Sequence, residues 1–116
     1  MKKFLAVFTG APESMEKWKN LNEAARKEQE KKGVAAWQAW ASKNQSRIVE
    51  MGGPLSKTKR VDPKGIHDIR NQLGAFTIVQ AESQEEAAKL FLNHPHFTIF
   101  PGDGVEVMEV LPIPGM

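Results

Sequence analysis

With 116 residues, 41% of them hydrophobic and 26% charged, the chain suits one hydrophobic core and argues against global disorder. The absence of cysteine excludes a disulfide framework, a thiolate nucleophile and a Cys-ligated metal site. Sixteen Lys and Arg face fourteen Asp and Glu, and an excess of +2 calls for neither nucleic acid nor an anionic membrane as partner.

Met1-Lys2-Lys3 followed by Phe4 to Phe8 has the charge pattern of a signal peptide, but its apolar run is only five residues long. It reads instead as a strand buried on both faces. No stretch is long and apolar enough to span a bilayer, and the expected location is the cytoplasm.

Gly10-Ala11-Pro12 turns the chain, and Pro12 suits the first turn of a helix with Glu13 and Glu16 near its positive end. From Pro12 to Lys32 the pattern is helical but thinly apolar: Met15, Trp18, Leu21 and Ala25 recur at helical spacing before the charged run Arg26 to Lys32. Gly33 interrupts, either as a break or as a kink. The pattern resumes from Val34 to Lys43, with Trp37 and Trp40 one turn apart. Such a pair anchors a core or an interface, or forms the aromatic wall of a ligand pocket.

Arg47 to Met51 has strand composition and stops at Gly52-Gly53-Pro54. Lys57 to Arg60 suits a short charged edge strand, and Val61 to Leu73 reads as a long solvated connection. His67 and Asp68 lie within it; as neighbours on opposite sides of an extended backbone they make a poor catalytic dyad. Ala75 to Ala81 is a strand with Phe76 and Ile78 on one face and Ala75, Thr77, Val79 and Ala81 on the other. Ser83 and Glu86 form a capping box for a helix through Leu92, which Asn93 and Pro95 end. The last strand, Val105 to Leu111, sets Val105, Val107 and Glu109 against Glu106, Met108 and Val110.

This order gives an α+β domain over residues 1–116, with a long charged helical segment at 12–32. Its arrangement is ferredoxin-like βαββαβ, a four-stranded antiparallel sheet with helices on one face. Strands apolar toward both faces leave the second face bare, so a homodimer through that sheet face is expected.

Gly52-Gly53-Pro54-Leu55, Leu73 to Val79, His94-Pro95, Val105-Glu106-Val107 and the Trp37-x-x-Trp40 helix together resemble the YCII-related proteins, from about Trp37 to Pro112. The resemblance implies a dimeric α+β barrel, two ferredoxin-like sheets packed face to face. Some of those relatives carry an early His–Asp pair with a proposed catalytic role; the first histidine here is His67, so no such pair is carried over.

His94, His96 and Asp103 are the candidate catalytic set, because a histidine titrates near neutrality and a carboxylate can orient it. The same residues suit structural roles: His94 at a helix C-terminus, Asp103 in a glycine-rich turn. Trp37, Trp40 and Phe97 are the candidate ligand wall. His94-x-His96 lacks a third ligand, so no metal is expected, and no phosphate-binding glycine motif calls for a cofactor. Two functions stay open: an enzyme-like protein handling an apolar small molecule by histidine acid–base chemistry, and a non-catalytic binding or accessory module with structural histidines. The first requires a concave site with a histidine whose ring nitrogen is free.

Overall fold

The computed structural model describes residues 1–116. In chain order the elements are β1 (Lys2–Thr9), α1 (Pro12–Lys19), α2 (Glu23–Lys43), a short 3-10 turn (Gln45–Arg47), β2 (Ile48–Pro54), β3 (Thr58–Asp62), β4 (Gly65–Ile69), β5 (Leu73–Ala81), α3 (Gln84–Lys89), α4 (Pro95–Thr98) and β6 (Gly104–Glu109). Strands β2, β5, β1 and β6 lie side by side in that order and every pairing is antiparallel. This is the ferredoxin-like sheet, with the apolar first strand in an interior position and β3 and β4 added as a separate ribbon.

The register explains the core. Phe4 pairs with Val79, Ala6 with Thr77 and Phe8 with Ala75, so these side chains share one face, joined from β6 by Val105 and Val107. Phe4, Ala6, Phe8, Val79 and Ala81 are buried there with Ala87 and Phe91, and Trp37 and Trp40 of α2 pack against them. On the opposite face a row runs Glu50–Ile78–Leu5–Met108, and beside it Phe76–Val7–Glu106. Helices α2 and α3 serve only the first face, which leaves this second apolar surface open.

Some element ends shift: β2 runs on to Pro54, α3 ends at Lys89 rather than Leu92, and β6 ends at Glu109 rather than Leu111. Two parts of the chain differ more deeply from the sequence expectation. The helical region does not break at Gly33; it breaks at Asn20 to Asn22, where Asn22 Oδ1 caps α2 by accepting from the Ala25 amide at 2.7 Å. Gly33 lies inside α2 as its one buried residue, because a Cβ there would sit 2.4 Å from the Phe100 ring. The short charged strand expected at Lys57 to Arg60 is β3, but the connection expected as a solvated loop after it holds β4 and pairs back on β3, with Arg60 opposite His67 and Val61 opposite Ile66. Its strand character was hidden because neither of its faces is buried, so no apolar alternation marks it.

The close approach at Gly33 gives a sign test. Alanine is intrinsically favoured over glycine in a helix by about 1 kcal/mol, yet G33A is expected to be less stable than wild type, by about 1–3 kcal/mol of overpacking. Urea unfolding measures this; a G33A protein as stable as wild type would mean that the Phe100 ring yields freely.

Candidate functional site

β1 ends in a bulge between Phe8 and Thr9, where the pairing with β5 shifts by one residue. The carbonyl oxygen of Thr9 there accepts from His96 Nε2 at 2.7 Å and from the Asp103 amide at 3.0 Å. The Thr9 hydroxyl donates to Asp103 Oδ1 at 2.7 Å. One residue thus ties the last loop of the chain to the end of its first strand.

The tautomer of His96 follows from that contact. A carbonyl only accepts, so Nε2 carries the proton and Nδ1 keeps a lone pair. No protein group bonds Nδ1, and it is not among the fully buried unpaired atoms. Burial lowers the His96 pKa, while the Thr9 carbonyl and the Asp103 carboxylate act to raise it. Gly102 lies against the ring: a Cβ at that position would be 2.1 Å from His96 Nε2.

His94 is placed differently. Asn93, in the left-handed conformation at φ 58°, ends the segment after α3, and Pro95 begins α4. His94 is therefore the N-cap of α4 rather than the C-terminus of a helix, and its Nδ1 accepts from the His96 amide at 3.0 Å. The ring is fully buried, with centroids 4.5 Å from Trp37, 4.6 Å from Trp40 and 5.1 Å from Phe8. Its Nε2 has no hydrogen-bond partner. Burial first, and the nearby His96 second, push its pKa down to about 4.

Beside His96 opens a cavity of about 750 Å³, within the usual range for small-molecule pockets. Its apolar walls include Met15, Trp18, Val34, Trp37 and Phe100. His96 is the one histidine on its surface and Glu30 the one carboxylate. Trp18 and Trp37 flank the Phe100 ring, with centroids 5.7 and 6.0 Å away.

Of the residues singled out from sequence, the structure brings His96 and Trp37 to this cavity and Asp103 to the Thr9 hub behind it. His94 lies beneath the wall. Trp40 does not line the cavity; its Nε1 donates to the Leu90 carbonyl at 2.7 Å, and its ring packs on Phe91. Phe97 is likewise absent from the lining. Sequence reasoning missed Thr9, Trp18, Glu30, Phe100 and Gly102. Only Thr9 carried a signal, as the last residue of an apolar strand before Gly10; the rest meet through contacts distant in sequence.

No family model matches the chain, and no curated protein aligns with it. Among solved structures the fold is similar to that of 5-chloro-2-hydroxyhydroquinone dehydrochlorinase (TftG) from Burkholderia phenoliruptrix AC1100, in complex with 2,5-dihydroxybenzoquinone. The likeness has a TM-score of 0.53 at 22% identity and covers 91% of this chain and 90% of that one. At this identity it supports the fold assignment.

The depressed histidine pKa values set an acid limit on stability. An unfolded histidine takes up a proton below about pH 6.5, whereas the folded His94 ring stays neutral down to about pH 4. Between those values the unfolded chain binds the extra proton, so stability falls as pH falls, and the lowered pKa of His96 acts in the same direction. In H94F, which keeps an aromatic ring in the cage but does not titrate, the decline is expected to be shallower. Urea midpoints across that range test this; equal slopes for the two proteins would remove His94 as the cause.

Proposed function

We propose that the protein binds a flat, largely apolar small molecule in this cavity and exchanges a proton with it through His96 Nδ1. The carrying observation is a histidine on a largely apolar cavity whose Nε2–H is held on the Thr9 carbonyl and whose Nδ1 has no hydrogen-bond partner. Proton uptake at Nδ1 makes an imidazolium whose other N–H already has an acceptor and whose charge faces Asp103. The bound acid is left as its conjugate base. His96 is then the catalytic residue. Thr9 and Asp103 are positioning residues, and Trp37, Trp18 and Phe100 supply the wall. His94 and Trp40 support that wall from behind, and Phe97 has no part in it. An oxygenated single ring is the ligand class that suits these groups, and the ligand of the structural neighbour belongs to it.

A weakly acidic coloured phenol, 4-nitrophenol, distinguishes binding from proton transfer. Wild-type protein is expected to bind it and shift its visible spectrum toward the phenolate. H96N should bind it without that shift, and W37A should weaken binding about tenfold, or ~1.4 kcal/mol. The same shift in H96N would leave a binding module in which His96 is structural. Absence of binding by wild type would sink the cavity reading.

We infer further that two copies pair through the open sheet face, as in a dimeric α+β barrel of the YCII-related kind. The row Ile78–Leu5–Met108 and the adjoining Phe76–Val7 make an apolar surface centred on the sheet, and most oligomers bury such a surface against its own copy. Wild type should sediment as a dimer at micromolar concentration, and I78E as a folded monomer. A monomeric wild type would end this reading.

A further inference from the structure

We infer that the β3–β4 ribbon is a dimerisation arm that lies on the sheet of a second copy of this chain. The inference rests on the sheet-face pairing proposed above and adds an element that the ferredoxin-like sheet does not itself contain.

The first reason is stability. A two-stranded ribbon is at best marginal in water unless a third strand or a packed surface supports it. β3 and β4 form their own sheet, and neither has substantial packing against any other element of the protomer. The radius of gyration, 16.1 Å, exceeds the ~13 Å of a compact domain of this length, as a projecting arm would make it. Yet the ribbon is built as a regular ladder, with five cross-strand pairs in unbroken register.

The second reason is its composition. Val61 and Ile66 are cross-strand partners on one face near the tip, and they are 76% and 68% exposed. Two β-branched side chains side by side suit a flat apolar surface and do not suit water. The open sheet face of a second copy is such a surface.

The third reason is charge. Within the ribbon Lys59 pairs with Asp68 at 2.6 Å, while Arg60 and His67 both meet Asp62. Lys57, Lys64 and Arg70 are left without a carboxylate. On the open face, Glu50 stands opposite Ile78 on the outer strand β2, and Glu106 opposite Val7 on the outer strand β6. Neither glutamate has a cation in its own protomer. The acids that border the open face on its outer strands thus match the bases that flank the ribbon's apolar tip, which favours a second copy over an unrelated occupant. The ribbon also springs from the ends of β2 and β5, the strands that carry Glu50, Phe76 and Ile78, so face-to-face pairing of two sheets brings each arm beside the other sheet.

The test uses the full chain and the double variant V61D/I66D, at two largely exposed side chains that are partners of each other in the ribbon. Sedimentation should show a dimer dissociation constant at least about tenfold above wild type, with an unchanged far-ultraviolet spectrum. Hydrogen exchange gives the second readout: amides of Thr58 to Ile69 should exchange slowly in the wild-type dimer and fast in monomeric I78E. A wild-type dimer whose affinity survives V61D/I66D, and whose ribbon amides exchange as fast as those of I78E, removes the arm and leaves the sheet pairing standing. A monomeric wild type removes both.

Discussion

Two donors from the end of the chain converge on the carbonyl oxygen of Thr9, and the site depends on that convergence. In an uninterrupted ladder this oxygen would be one more sheet acceptor. Here Thr9 pairs with Gly104 at the start of β6, where that ladder ends, and the oxygen accepts from the Asp103 amide and the His96 ring. Three consequences follow from one oxygen atom. The His96 tautomer is fixed, the Asp103 carboxylate is brought close enough to favour a positive imidazole, and the segment after α4 is anchored to β1. Without the Thr9 contact only the Asp103 carboxylate would oppose the burial that lowers the His96 pKa.

Behind this arrangement the two histidines divide the work. His94 Nδ1 caps the turn that carries His96, so the buried ring sets the backbone and the neighbouring ring meets the cavity. The cage of Phe8, Trp37 and Trp40 around His94 leaves its Nε2 unpaired, an energetic cost that is tolerated because the neutral ring still packs as an aromatic group. Glycines make the close packing possible. Gly102 lets the loop pass over the His96 ring, and Gly33 lets α2 approach Phe100.

Much of the architecture is legible in the residues themselves. Alternation along Ala75 to Ala81 and Val105 to Glu109 assigns each side chain to its observed face, because a half-buried strand must separate its two sides. Ser83 caps α3 through the Glu86 amide at 3.2 Å, as its spacing implies, although the Glu86 carboxylate reaches the Glu82 amide rather than closing the box on Ser83. The charged edge strand β3 was legible, but its partner β4 and the break at Asn20 to Asn22 were not. The ribbon buries no face, and the thin apolar stripe from Met15 to Ala25 masks the asparagine cap. The site was legible only as a neighbourhood. Choosing His96 over His94 requires knowing that residue 96 meets residue 9, and no local pattern records a contact between such distant positions.

The cavity and the ribbon share their footing. Met51 to Pro54 and Gly74 to Thr77 line the cavity, and the same two segments lead directly into β3 and out of β4. At that junction Gly52 adopts φ 67° against the Phe76 carbonyl, where a Cβ would lie 2.0 Å from the oxygen. Thr77 Oγ1 donates to the Met51 carbonyl at 2.8 Å and clamps the two strands together. The ribbon and the cavity wall therefore share the same few peptide groups, at Met51 to Pro54 and Gly74 to Thr77.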